Sequence, residues 1–68
     1  MDTKFYARLG DARALLREAL EQIDVAEDLA KRGSPNGAAT ATAAAKTALW
    51  SGNMRLSTAH DVALQEAR

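Results

Sequence analysis

A possible acid–base pair lies near the carboxyl end of the chain, where His60 precedes Asp61 and Ser57 lies one helical turn earlier. Serine, histidine and aspartate are the residue types of a hydrolytic triad. A triad needs a base that bonds to both partners across a pocket, and neighbouring residues of one helix point about 100° apart. The chain has no cysteine as another nucleophile. We therefore expect a protein that is not an enzyme.

Carboxylates cover the second half of the first predicted helix, with no basic residue among them: Glu18, Glu21, Asp24, Glu27 and Asp28. They lack the loop of convergent oxygens that a calcium or magnesium site uses, so no metal and no other cofactor is expected. An acidic ridge can engage a basic partner. The favoured interpretation is a solvated face, in which basic residues four positions away form surface ion pairs.

Basic residues occupy the first half of the same predicted helix. Nucleic-acid binding through phosphates is usually accompanied by a basic excess, whereas this chain has nine basic and nine acidic residues. A dimer would double the basic patch, which keeps RNA or DNA binding as an alternative function. The candidate nucleic-acid contacts are Lys4, Arg8, Arg13 and Arg17.

A third group combines the only tryptophan with a methionine and a leucine at helical spacing. Aromatic residues and methionine are enriched at protein interfaces. The stripe lies on the opposite side of its helix from the expected core positions. The candidate partner-binding residues are Trp50, Met54, Asp61 and Leu64. The alternative interpretation is that this stripe is the chain's own dimer interface.

Two stretches with the same heptad must position these groups. Large apolar residues and small residues alternate at spacings of three and four, which places each set on one stripe of a helix. In the first stretch the large set is Leu9, Leu16 and Ile23, and the small set is Ala12, Ala19 and Ala26. In the second stretch the large set is Leu49 and Leu56, and the small set is Ala45, Gly52 and Ala59. The pattern predicts a tight antiparallel hairpin whose large residues fill the gaps between small ones.

Turn and cap residues divide the single domain 1–68 into a helix over about 3–32, a linker over 33–37 and a helix over about 38–67. Gly33 can adopt the left-handed cap, and Pro35 follows it. The segment around Gly52 contains poor helix formers, so a three-helix chain with a turn at 51–53 is an alternative. The heptad keeps its phase across Gly52, which favours one continuous helix.

A chain of 68 residues without cysteine is a marginal domain unless it oligomerises. The predicted hairpin also leaves apolar residues outside its seam, including Tyr6, Leu15, Leu20, Leu29 and Val62. We therefore expect a homodimer that forms a four-helix bundle. This plan resembles the Rop-type RNA-regulating dimers in architecture, without a shared motif. The resemblance implies a Rop-like RNA- or DNA-binding dimer as the alternative function.

The leading functional hypothesis is a small protein-binding regulator, inhibitor or adaptor that acts through one helix face. A purely structural assembly piece is a further alternative. No apolar run approaches the roughly 20 residues that span a bilayer, and the first residues contain no apolar segment of a secretory signal. The expected location is the cytoplasm, away from membranes.

Overall fold

Two long helices form an antiparallel hairpin in the computed structural model, which describes residues 1–68: α1 (Thr3–Lys31) and α2 (Pro35–Ala67). The rod measures 53 × 13 × 11 Å. At its open end the Asp2 backbone N–H donates to Glu66 Oε1 at 2.8 Å, so the helices run beside each other to their far ends. The predicted all-α hairpin is confirmed. Neither helix combines the length and the apolar character that crossing a membrane requires.

α2 is one helix of 33 residues, and the alternative turn at 51–53 is wrong. Gly52 is buried against α1. A Cβ built on Gly52 would lie 3.6 Å from Leu15 Cβ and 3.7 Å from Leu16 Cδ2, which is ordinary van der Waals contact. The helix therefore continues through Gly52 although glycine disfavours a helix by roughly 1 kcal/mol, and the position has room for a methyl group.

The connection between the helices is shorter than the sequence predicts. α1 ends in a Schellman motif, in which the Ser34 N–H donates to Leu29 O at 2.9 Å and the Gly33 N–H donates to Ala30 O at 3.1 Å. Gly33 has a φ of 79°, the left-handed conformation that this motif needs. α2 then begins at Pro35 rather than near Ala38, because proline is pre-organised for the first position of a helix.

The segment rich in alanine and threonine at the start of α2 is regular helix. Its threonine hydroxyls donate to carbonyls four residues earlier, as the 2.8 Å contact from Thr42 Oγ1 to Ala38 O illustrates. Thr40 and Thr47 make the same bond at 3.1 Å. Alanine is the best helix former, and these local bonds satisfy the hydroxyls without a partner element.

The buried positions of the seam between α1 and α2 are all occupied by small residues. They are Ala12, Ala19, Ala41, Ala45, Ala48, Gly52 and Ala59. No large side chain is fully buried anywhere in the chain. A buried methyl contributes about 0.8 kcal/mol, whereas a fully buried leucine contributes about 1.5–3 kcal/mol. The hairpin therefore has close contact along its length but little apolar volume in its core.

The prediction that the large residues fill the seam is wrong. Leu16 and Leu56 are 37% and 40% exposed, and Ile23 and Leu49 are exposed to a similar degree. Alanine stripes on both helices let the backbones approach, which leaves no space between them for a leucine. The large stripe is consequently displaced to one side of the seam.

Candidate functional site

The two flanks of the seam differ because of where each helix carries its large residues. Leu16 lies four positions after Ala12, an offset of about 40° from the small stripe in one direction. Leu49 lies four positions after Ala45, an offset in the same sense. In antiparallel helices, equal offsets fall on the same side of the hairpin. Large residues of both helices therefore emerge together on one flank.

We call this flank the leucine face. It comprises Leu9, Leu16, Leu20, Ile23, Leu49 and Leu56. A shallow groove of about 350 Å³ lies within it, with Leu16 and Leu20 along one wall and Leu56 on the other. The guanidinium side chains of Arg13 and Arg17 border the same groove. The leucine face is thus an apolar strip with basic groups along part of its α1 edge.

The opposite flank, here called the closed flank, pairs large residues of α1 with small residues of α2. Leu15 and Leu29 are offset to this side and are only partly exposed. Ala41 and Ala48 of α2 have the matching offset and are buried. The prediction that Leu15 and Leu29 are left uncovered by the hairpin is wrong, because α2 covers much of both.

The candidate partner-binding residues all lie exposed on the outer face of α2. Trp50 is 66% exposed, and Met54 and Leu64 are exposed to 45% and 44%. The Asp61 carboxylate is 74% exposed on the same stripe. These positions point away from the buried stripe of Ala45, Gly52 and Ala59. The outer face therefore presents one large aromatic ring and two other apolar side chains beside one acidic group.

The four basic residues proposed as nucleic-acid contacts do not form one patch. Arg13 and Arg17 border the groove of the leucine face. Arg8 lies on the other flank, where its Nη1 is 3.8 Å from Asp11 Oδ2. Arg55 Nε lies 4.0 Å from the same carboxylate oxygen. Lys4 is one helical turn before Arg8, so the structure divides the group into two pairs on different sides.

The remaining charged groups form no enclosed site. His60 Nδ1 and Asp61 Oδ1 are 4.0 Å apart, beyond hydrogen-bond distance, and both side chains are more than 70% exposed. No three side chains of histidine, cysteine, aspartate or glutamate are grouped as metal ligands. On the acidic half of α1, Asp28 Oδ2 lies 3.1 Å from Arg32 Nε, an ion pair on the surface.

The leucine face is the feature that sequence reasoning missed. Its signal was present, because the large residues of both helices follow the small ones with the same offset. Antiparallel pairing turns that shared offset into one common face. A comparison with protein families, curated sequences and solved structures finds no match for the chain. Its own surfaces are therefore the basis for a proposed function.

Proposed function

We propose that the protein is a non-enzymatic binding module that docks a protein partner on the outer face of α2. The observation that carries this proposal is the exposure of Trp50, the largest apolar side chain of the protein, on a helix face that no other part of the chain covers. Tryptophan is the residue type most enriched among interface positions that dominate binding energy.

The composition of the outer face supports helix-face docking. Trp50 and Met54 are one turn apart and supply an aromatic ring beside an adaptable thioether. Leu64 extends the apolar contact by almost three turns, and Asp61 supplies a charge that orients a basic group of the partner. These residues are held on a continuous helix, so little backbone entropy is lost on binding. A regulator, inhibitor or adaptor would act by binding its partner protein through this face.

The Rop-like nucleic-acid alternative has weaker support. Its four basic residues lie on two sides of the hairpin, and Arg8 is partly neutralised by Asp11. The steep salt dependence of phosphate contacts separates the two functions. If the binding constant falls steeply as the salt concentration rises, several counterions are released and the ligand is a nucleic acid. Docking through Trp50 would depend only weakly on salt.

The test compares the truncation of two exposed apolar side chains, one on the outer face of α2 and one on α1. Trp50→Ala removes the proposed anchor, and Val25→Ala removes an exposed valine of α1. Proteins crosslinked to the wild-type chain in native extract are identified, purified and titrated against each variant. Because Trp50 is the only tryptophan, its fluorescence reports binding directly in the wild-type chain and in Val25→Ala, and the affinity of Trp50→Ala is measured by its competition with the wild-type chain for the partner. We expect Trp50→Ala to weaken binding about 30-fold, and Val25→Ala to leave it near wild type.

Two further readouts on Trp50→Ala make the proposal refutable. We expect its thermal melt and its molecular mass in solution to match those of the wild-type chain. A collapsed melt or a change of oligomeric state would assign Trp50 to the protein's own interface. Equal partner binding by both variants would remove the outer face from the proposed function.

A further inference from the structure

We propose that a second copy of this chain covers the leucine face, with the two α1 helices antiparallel about a two-fold axis at Leu20. The proposal depends on the leucine face and not on the outer face of α2. Leu20 is 63% exposed and lies at the edge of the groove next to Leu16. A two-fold axis at this point places Leu20 against Leu20 of the second copy in an isologous interface.

On α1, charges of opposite sign lie at matching distances before and after Leu20. Arg13 lies seven residues before Leu20 and Glu27 lies seven residues after it, on the same stripe. An antiparallel copy therefore brings Arg13 opposite Glu27 of the second copy, and the two-fold axis repeats this pair. On the adjoining stripe, Arg17 meets Asp24 of the second copy in nearly the same register. Oppositely charged pairs of this kind fix register and orientation.

The apolar residues agree with that register. Leu16 and Ile23 lie on the inner stripe of the leucine face, and their sequence numbers are almost symmetric about Leu20. Each Leu16 therefore packs against Ile23 of the second copy. If the two hairpins instead ran parallel, α1 would face α2 of the second copy. The stripe of α2 that borders the leucine face carries Lys46, Asn53 and His60 and no carboxylate. Charge complementarity thus favours the antiparallel pairing.

The exposed area of the chain is also large enough for a dimer interface of standard size. The chain exposes 4969 Å², whereas a compact monomer of its 7.3 kDa mass exposes about 4,200 Å². The excess of roughly 800 Å² reflects the elongated shape of the hairpin, and it is similar in size to the area that each partner buries in a standard stable interface. The same axis brings Lys46 of the two copies near each other, and the flexible stem of each lysine lets its ammonium group turn away into water.

Disulfide trapping tests the register. The chain has no cysteine, so Leu20→Cys introduces a single thiol at the proposed axis. Tyr6→Cys is the matched control, because Tyr6 lies on the same stripe and is 61% exposed. Its symmetry mate would be about 42 Å away along the helix. We expect Leu20→Cys to form a crosslinked dimer quantitatively under mild oxidation, and Tyr6→Cys to remain mostly uncrosslinked.

Charge reversal tests the pairing without a new covalent bond. Arg13→Glu and Glu27→Arg each replace two attractive pairs by two repulsive ones, and we expect each to raise the dimer dissociation constant about tenfold. The double variant restores opposite charges, so its dissociation constant returns to the wild-type value. Helical circular dichroism of all three variants verifies folding. Equal crosslinking of both cysteine variants, or a double variant weaker than either single one, would overturn the proposal.

Discussion

The two flanks of the seam carry leucines from the same helix, yet only one flank is covered within the chain. On the closed flank, Leu15 lies across a stripe of alanines on α2, so large meets small. On the leucine face, Leu16 emerges beside Leu49 and Leu56, so large meets large. Neighbouring residues of α1 therefore have different roles. Complementary size closes a surface inside one chain, whereas matched large residues leave an apolar surface uncovered.

The comparison is sharpest for the adjacent pair Leu15 and Leu16. Leu15→Ala should lower the free energy of unfolding by about 2 kcal/mol and the Tm by roughly 10 °C, because it opens a cavity within the hairpin. Leu16→Ala should instead act on association and raise the dimer dissociation constant. Thermal melts combined with sedimentation equilibrium separate the two effects. If Leu15→Ala dissociated the dimer and left the stability of the hairpin unchanged, Leu15 would belong to the dimer interface and not to the packing of α1 against α2.

Gly52 lies beneath both leucines, so substitutions there test how tightly the seam supports the two flanks. Gly52→Leu should cost about 1–3 kcal/mol of stability through overpacking. Gly52→Ala should gain up to about 1 kcal/mol, because its methyl group makes ordinary contacts with Leu15 and Leu16 and alanine favours the helix. Chemical denaturation measures both changes. A Gly52→Leu variant as stable as the wild type would show that the seam is not in close contact at this point.

A smaller effect is expected at the connection that keeps the two flanks in register. Gly33→Ala places a Cβ on a residue with a φ of 79° and should cost about 1 kcal/mol. A matched control is Ala30→Gly on the exposed face of the last turns of α1, which should cost a similar amount through helix propensity alone. Asparagine adopts the left-handed conformation more readily than alanine. A Gly33→Asn variant that is more stable than Gly33→Ala would therefore identify this conformation as the cause. Equal stability of the alanine and wild-type chains would contradict the Schellman cap.

Sequence periodicity predicted both helices, apart from the start of α2, and four of the six buried alanines of the seam. It identified Ala12, Ala19, Ala45 and Ala59, which are buried, and the continuity of α2 through Gly52. These features follow from local propensity and from the phase of one helix, both of which a single sequence contains.

The same reasoning failed for the large stripe because coverage depends on both helices together. Leu15 and Leu16 are equally apolar and flank the same alanines at nearly equal angles. Which of them is covered depends on the size of the residues that α2 brings opposite, and therefore on the antiparallel register. For the candidate site, the exposure of Trp50 followed from its helical phase, whereas the common face of Leu16 and Leu56 required the packed hairpin.

The most direct test of this account is the molecular mass of the wild-type protein in solution. Sedimentation equilibrium or light scattering across micromolar concentrations should give about twice the chain mass of 7.3 kDa, because the leucine face is expected to be buried between two copies. The dimer should dissociate on dilution, and its helical signal should weaken as the leucine face becomes exposed. A stable, fully helical monomer at every concentration would contradict the claim that the leucine face is an interface.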